Sequence, residues 1–417
     1  AYNSFNMKDS LMSGTSRAPR HAGLLILLLA YAGFVALGLS NSVMGVAWPS
    51  ISETFGQPLD ALGLLLIGNT IGYMIASAVS GRLMALMNVG TLLAGGCGLA
   101  AAALLATGGA PSWPVLVVLG FAAGLSGGAI DGSLNAYAAA HFSPRAMNWL
   151  HACFGIGATL GPAIMTAVIV YGLSWRVGYG IVGAVQLLLA LCFVFTRQLW
   201  SARDLRSADP EPVRGAALAT TLRLPMVWLG IALFFAYTGA EVATGQWVYS
   251  LLTKSRGVPV ELAGTWVSLY WASLTLGRIL FGFVVQRVSP TTLLRWCMVG
   301  AVLSALLIWV NGAPWLAFAG IALMGLSLAP QFPLLISATP DYMGAAHAAN
   351  GVGLQVAAAS LGGAVLPSLI GVLAAAYSLE VLGPFLLVTA LVMSGLFELL
   401  CWRRRPEIRS QESSVRG

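Results

Sequence analysis

The chain has 417 residues, of which 58% are hydrophobic and only 8% charged, with a formal net charge of +7 and a mean hydropathy of +0.84. A soluble domain is usually about a quarter charged, so a water-exposed globule is excluded. The basic excess sorts by side of the membrane, and it calls for no nucleic-acid partner.

Residues 1–21 form a polar N-terminal tail, and the apolar run that follows is full length, so no cleavable signal peptide is expected. A spanning helix needs about 20 apolar residues. Such runs occur at 22–47, 60–87, 90–108, 113–139, 146–172 and 175–197, giving a six-helix half over 22–197. A polar linker covers 198–223. Six more runs, at 224–250, 261–287, 291–311, 314–338, 346–376 and 379–402, give a second half over 224–402, and 403–417 is a basic tail. The predicted fold is an all-α membrane protein of twelve transmembrane helices in two six-helix halves.

The halves repeat at a fixed offset. Gly63, Gly81, Thr91, Leu92 and Leu93 return as Gly264, Gly282, Thr292, Leu293 and Leu294 (264 − 63 = 201). Gly124-Leu125-Ser126 returns as Gly325-Leu326-Ser327, and with small slips Pro114 meets Pro314 and Asn148 meets Asn350. Parallel repeats of this kind place a substrate site between the halves. The 49 glycines let helices approach closely and bend.

Basic residues favour the cytoplasmic side. Lys8, Arg17 and Arg20 precede the first span, Arg82 and Arg145 fall in even-numbered turns, and Arg197, Arg203, Arg206, Arg214 and Arg223 crowd the linker. Arg287 and Arg295 follow, and Arg403, Arg404, Arg405, Arg409 and Arg416 close the chain, whereas only Arg176, Lys254 and Arg256 fall on the other side. Both termini and the linker are therefore predicted to be cytoplasmic.

The five cysteines, Cys97, Cys153, Cys192, Cys297 and Cys401, lie in or at the ends of apolar helices without paired spacing, so neither a disulfide frame nor a metal site is expected. No phosphate-binding Gly-x-x-x-x-Gly-Lys-Ser/Thr loop occurs, and the polar segments are too short for a catalytic domain. An enzyme is not expected, and transport would draw on an ion gradient rather than a cofactor.

Ionisable groups inside spans are costly and mark function by default. Asp131 sits among small residues in Gly124-Leu-Ser-Gly-Gly-Ala-Ile-Asp131-Gly-Ser-Leu-Asn135, and Asn135 shares its helix face one turn on. Desolvation penalises the charged carboxylate, which suits Asp131 to loading and releasing a proton; the plainer reading is a carboxylate locked to a neighbouring helix. Glu241 is a second proton site, a hydroxyl ligand or a structural anchor. His151 is a proton relay or a neutral helix contact. Arg278 is a snorkelling or gate-latching residue.

The uncharged polar residues Asn41, Asn69, Gln246, Gln331, Asn350 and Gln355 fall near Tyr73, Tyr237, Trp247, Tyr270 and Trp271. Amides that bond hydroxyls, with rings that cover a C–H face, suit a sugar-like ligand, and most of these side chains are assigned here to substrate. Trp113, Trp175, Trp315 and Trp402 are expected in the interfacial aromatic belts.

The span count, linker and repeat resemble the major facilitator superfamily. The Gly81-Arg-Leu-Met-Ala-Leu-Met-Asn-Val-Gly90 loop is similar to that superfamily's loop-two motif in its glycine and leucine but has lost the acidic and basic core, while the second half keeps Gly282 and Arg287. Gly81 and Gly282 are thus assigned to gating or structure, and the charge latch of that loop is not expected. Asp131-Gly-Ser-Leu-Asn135-Ala-Tyr137, Arg145-Ala-Met-Asn148 and Phe154-Gly-Ile-Gly-Ala-Thr-Leu-Gly161 resemble the fucose–galactose–glucose proton symporter group. That resemblance implies Asp131 as the protonation site and Asn135 as a nearby substrate or helix contact. The chain departs from it in offering only Asn41 in the first helix and in carrying Glu241 in the seventh.

These readings together predict a monomeric, proton-coupled symporter of a small neutral solute, a sugar above others, in the lipid bilayer of a bacterial inner membrane. A proton-coupled exporter of drugs or metabolites is the alternative, and a non-transporting solute sensor is a third.

Overall fold

The computed structural model describes residues 20–200, 216–310 and 312–415. Lys8, Arg17, Arg203, Arg206, Arg214 and Arg416 lie outside the described residues, as do the side chains of Arg20, Arg145, Arg404, Arg405 and Arg409. Among the described residues, twelve helices are long and apolar enough to cross a membrane: α1 Gly23–Thr54, α2 Leu59–Leu86, α3 Val89–Gly108, α4 Trp113–His141, α5 Ala146–Val170, α6 Trp175–Leu199, α7 Pro225–Ser255, α8 Val260–Val284, α9 Pro290–Trp309, α10 Pro314–Ser337, α11 Ala345–Ala376 and α12 Leu379–Arg403.

Local chemistry sets their ends. Asn88, Ser143, Ser174 and Ser289 accept backbone N–H bonds at the starts of α3, α5, α6 and α9, satisfying donors that a helix start leaves free. The first turn in each half needs a left-handed residue, supplied by Gly56 (φ 59°) and Gly257 (φ 65°). These too are separated by 201 positions (257 − 56).

Several boundaries differ from the hydropathy reading. Helix α1 runs beyond 47 through Pro49 to Thr54, because Val46, Ala47, Trp48 and Ile51 are all buried and hold it against its neighbours. Helix α7 closes on a π-turn, Leu251–Ser255, with Leu251 and Leu252 buried. Helix α10 breaks after Leu328 and restarts at Gln331, since Pro330 has no N–H to continue the ladder. The last helix continues as far as Val415. Trp200 is fully buried against Phe193 and Tyr137, so residues 198–200 pack with the first half. Across the linker, Ala216 N–H donates to Ala346 at 2.9 Å and Asn350 Nδ2 donates to the Ala216 carbonyl at 2.8 Å, so the linker's end rests on α11.

Packing repeats as the sequence does. Helix α2 packs on α4, α1 on α5 and α3 on α6; in the second half α8 packs on α10, α7 on α11 and α9 on α12. The halves meet through α1 with α7, α2 with α11 and α5 with α8. Side chains added at Gly45, Gly63 and Gly264 would strike Gly245, Ser368 and Thr166 of the opposite half. These three glycine contacts lie towards the face that carries the α1–α2 and α7–α8 turns, which they close, while α5 and α8 also meet deeper in the bundle at Gly155 and Thr275.

Overpacking a tight contact costs about 1–3 kcal/mol, enough to move an open-to-closed ratio roughly thirtyfold at the middle of that range. Gly264→Val is therefore expected to open the closed face. In a cysteine-free background, labelling of Thr166→Cys by a membrane-impermeant maleimide should rise clearly when the valine is added. Unchanged labelling would mean that this contact does not hold the face shut.

Candidate functional site

Helix α4 presents Asp131 and Asn135 on one face. Tyr73 Oη, from α2, donates to Asp131 Oδ2 at 2.6 Å, and Asn135 Nδ2 donates to Oδ1 at 3.0 Å. The helices come this close because Gly124 and Gly128 of α4 lie against the carbonyls of Asn69 and Tyr73. The interactions of Asp131 are burial and these two hydrogen bonds; among the described residues no basic group pairs with it. A carboxylate held only by neutral donors can take up or lose a proton without breaking an ion pair.

The second half treats its carboxylate differently. Tyr237 Oη makes a short hydrogen bond to Glu241 Oε2, and Arg278 Nη2 of α8 lies 3.6 Å from the same oxygen. Tyr270 Oη donates to the Glu241 backbone carbonyl at 2.8 Å. Glu241 is thus neutralised in place. Arg278, expected to snorkel or latch a gate, pairs with Glu241 across α7 and α8, and the pairing offsets part of the cost of burying either charge. His151 is exposed and stands edge-on to Phe34, ring centroids 5.4 Å apart. It belongs to the first half but feels the charge of Arg278 across α5 and α8.

The amides and rings assigned to substrate divide into groups. Tyr73 and Asn135 join Asp131, and Tyr270 joins Glu241. Asn41 and Asn69 line a cavity of about 40 Å³ inside the first half, together with Ser40, Ser126 and Gln186. The others are fixed in the framework. Gln246 lies at the α1–α7 contact beside Gly45, Trp271 packs on Gly245, and Trp247 donates its indole N–H to the Pro367 carbonyl at 2.8 Å. Gln331 is fully buried and donates to the Ser327 carbonyl at 2.9 Å. Gln355 accepts from Thr339 at 2.8 Å, and Asn350 holds the linker. Gly81 and Gly282 face open space, so no close packing demands glycine there. Trp175, expected in an aromatic belt, is buried and donates to Thr54 at 3.0 Å, whereas Trp315 and Trp402 are exposed. The serines and Gln186 escaped sequence reasoning, although a glutamine inside the apolar run Val185-Gln186-Leu187 was a usable signal.

Two six-helix halves with matched packing, meeting at one face and holding carboxylates between their helices, define a membrane carrier rather than an enzyme. A sequence model of the Major Facilitator Superfamily matches residues 30–308 and 229–416, and the chain belongs to that family. The human sodium-dependent glucose transporter 1 is 24% identical over 386 residues, covering 83% of this chain and 73% of that protein. The glucose/mannose transporter GlcP of Bacillus subtilis is 24% identical over 352 residues, covering 82% and 86%. Among solved structures, a point mutant of the nucleoside transporter NupG is similar with a TM-score of 0.75 at 16% identity, covering 90% of this chain and 99% of that one. The transporter FucP in its outward conformation gives a TM-score of 0.60 at 16% identity, covering 91% and 99%.

Removing one partner of a partly buried ion pair such as Arg278–Glu241 leaves the other charge uncompensated, at a cost of up to about 3 kcal/mol. Glu241→Gln is expected to lower the unfolding temperature of the purified protein by several degrees, and adding Arg278→Met should restore most of the loss. A Glu241→Gln protein as stable as the parent would show that the pair contributes nothing.

Proposed function

We propose that this protein is a proton-coupled symporter of a small neutral solute, a sugar above others, working by alternating access as a monomer. The observation that carries the proposal is Asp131 bonded to Tyr73 and Asn135 with no cationic partner among the described residues. Protonation there removes the charge, weakens the carboxylate's hold on its two donors and frees Asn135 to turn towards a solute. Loss of the proton restores both bonds and favours release. Glu241, bound to Arg278, anchors the second half, and His151, on the exposed side of α5, relays the proton.

The sugar preference draws on two relatives whose names specify glucose or glucose and mannose. One of those names also specifies sodium dependence, so sodium competes with the proton as the driving ion. We place the protein in a bacterial inner membrane with both termini cytoplasmic, following the sorting of basic residues; the closed face is then the external one, and the solute path opens inward. Export of drugs or metabolites remains the alternative within transport.

Solid-supported-membrane electrophysiology on reconstituted protein tests this reading. Sugars, polyols, nucleosides and lipophilic cations are applied in turn at two pH values without sodium. A saturable inward current with a sugar, abolished in Asp131→Asn while passive exchange persists, is the expected result. If Asp131→Asn still concentrates solute, that residue is not the coupling site, and currents only with lipophilic cations would favour export.

A further inference from the structure

The small cavity inside the first half has an unusual polarity. Ser40 Oγ donates to the Ala36 carbonyl at 2.9 Å and Ser126 Oγ to the Ala123 carbonyl at 2.7 Å. Asn69 Nδ2 donates to the Gly120 carbonyl at 3.2 Å. Gln186 Nε2 donates to the Ala36 carbonyl and to Ser40 Oγ, both at 3.1 Å. The hydroxyl hydrogens and the glutamine amide are thus committed to protein acceptors. The two hydroxyls and Gln186 have only oxygen lone pairs left, whereas Asn69 keeps a second amide hydrogen and the Asn41 amide also lines the cavity; Gln186, only 1% exposed, has its Oε1 buried without a partner. A buried acceptor left unpaired costs about 1–3 kcal/mol, so Gln186 Oε1 calls for an occupant that donates to it or is positively charged.

Size narrows the choice. The cavity of about 40 Å³ is too small for a sugar ring but has room for an ion with a water, one water needing about 10–15 Å³. Hard cations take oxygen ligands, and a set with no carboxylate suits a single charge rather than two. The repeat points the same way. Ser40 corresponds to Glu241 (241 − 40 = 201) and Asn69 to Tyr270 (270 − 69 = 201), and in the second half Glu241 pairs with the Arg278 guanidinium while Tyr270 bonds the Glu241 carbonyl. There the cation is part of the chain.

We propose that Ser40, Asn69, Ser126 and Gln186 form a binding site for a sodium ion, reached past the exposed amide of Asn41. Asp131 is not in its wall, so the site is separate from the proton site and does not depend on the symport reading. A ligand that binds only the folded state raises its stability in proportion to ln(1 + [L]/Kd), which provides the readout. Thermal unfolding of the purified full chain is measured in sodium, potassium and choline chloride at constant ionic strength, without solute. Sodium alone should raise the midpoint, and saturably. Ser126→Ala, which deletes one oxygen, should weaken the apparent sodium affinity by about tenfold or more, or about 1.4 kcal/mol, and Gln186→Leu should abolish the effect. Asp131→Asn should leave it intact. Should Gln186→Leu fail to fold, radioactive sodium binding to the parent and to Ser126→Ala decides the matter. A midpoint indifferent to sodium, an equal response to potassium, or a sodium response kept by both cavity variants would show that the cavity holds water only. Loss of the response in Asp131→Asn would move the ion to that carboxylate and overturn the site.

Discussion

Backbone contact between α2 and α4 is the constraint on which the rest of this molecule depends. In a bilayer no hydrophobic force drives one helix onto another, so association rests on close van der Waals packing and interhelical hydrogen bonds. Gly124 and Gly128 allow α4 to lie against the carbonyls of Asn69 and Tyr73. Only at that separation does Tyr73 Oη reach Asp131, two turns beyond Gly124, at 2.6 Å. The second half repeats the device: Gly325 lies against the Tyr270 carbonyl, and Tyr270 Oη then ties α8 to the Glu241 carbonyl of α7. A larger side chain at either glycine would move both the seam and the polar group it positions.

On this shared frame the halves carry different charge. Asp131 is held by neutral donors, Glu241 by a guanidinium and a tyrosine. The ends of the helices are clasped by arginines in both halves, from opposite directions. Arg256, after α7, makes a bidentate pair with Glu380 and donates to the Ile308 carbonyl at 2.8 Å. Arg176, at the start of α6, donates to the carbonyls of Gly108 and Ala110 at 3.0 and 2.9 Å and covers the rings of Phe55 and Trp175. Each clasp joins the end of the half's first helix, the end of its third and the start of its sixth. Burial of charged groups is tolerated here because every clasp meets a carboxylate, a carbonyl or a ring.

The architecture was legible in the sequence because hydropathy and a 201-residue repeat are both one-dimensional signals. The offset even marks paired structural details, the left-handed turns at Gly56 and Gly257 and the seams at Gly124 and Gly325. Asp131 and Asn135 were legible as neighbours because four residues along a helix share a face. Tyr73 was named but not joined to Asp131, since 58 positions separate them and only the seam brings them together. The pairing of Arg278 with Glu241 was hidden for the same reason: whether a basic side chain snorkels or turns inward depends on what the adjacent helix offers. The extra turns of α1 and the buried Trp200 follow from tertiary contact, which overrides local apolarity at helix ends.

A carrier must move as rigid parts across a seam that parts readily, and the distribution of strong interactions fits that need. The ion pairs among the described residues, Arg256 with Glu380, Arg278 with Glu241 and Arg295 with Glu398, all stay within the second half. The closed face is instead held by small residues in contact, Gly45 with Gly245, Gly63 with Ser368 and Gly264 with Thr166. Such contacts are individually weak and leave no unpaired charge when they separate. The balance between open and closed faces then lies within reach of a ligand. A bound ion or solute shifts that balance only by the difference in its affinity for the two states, and a carboxylate held only by neutral donors inside the first half, such as Asp131, could alter that difference by a change of charge without disturbing the clasps that keep each half intact.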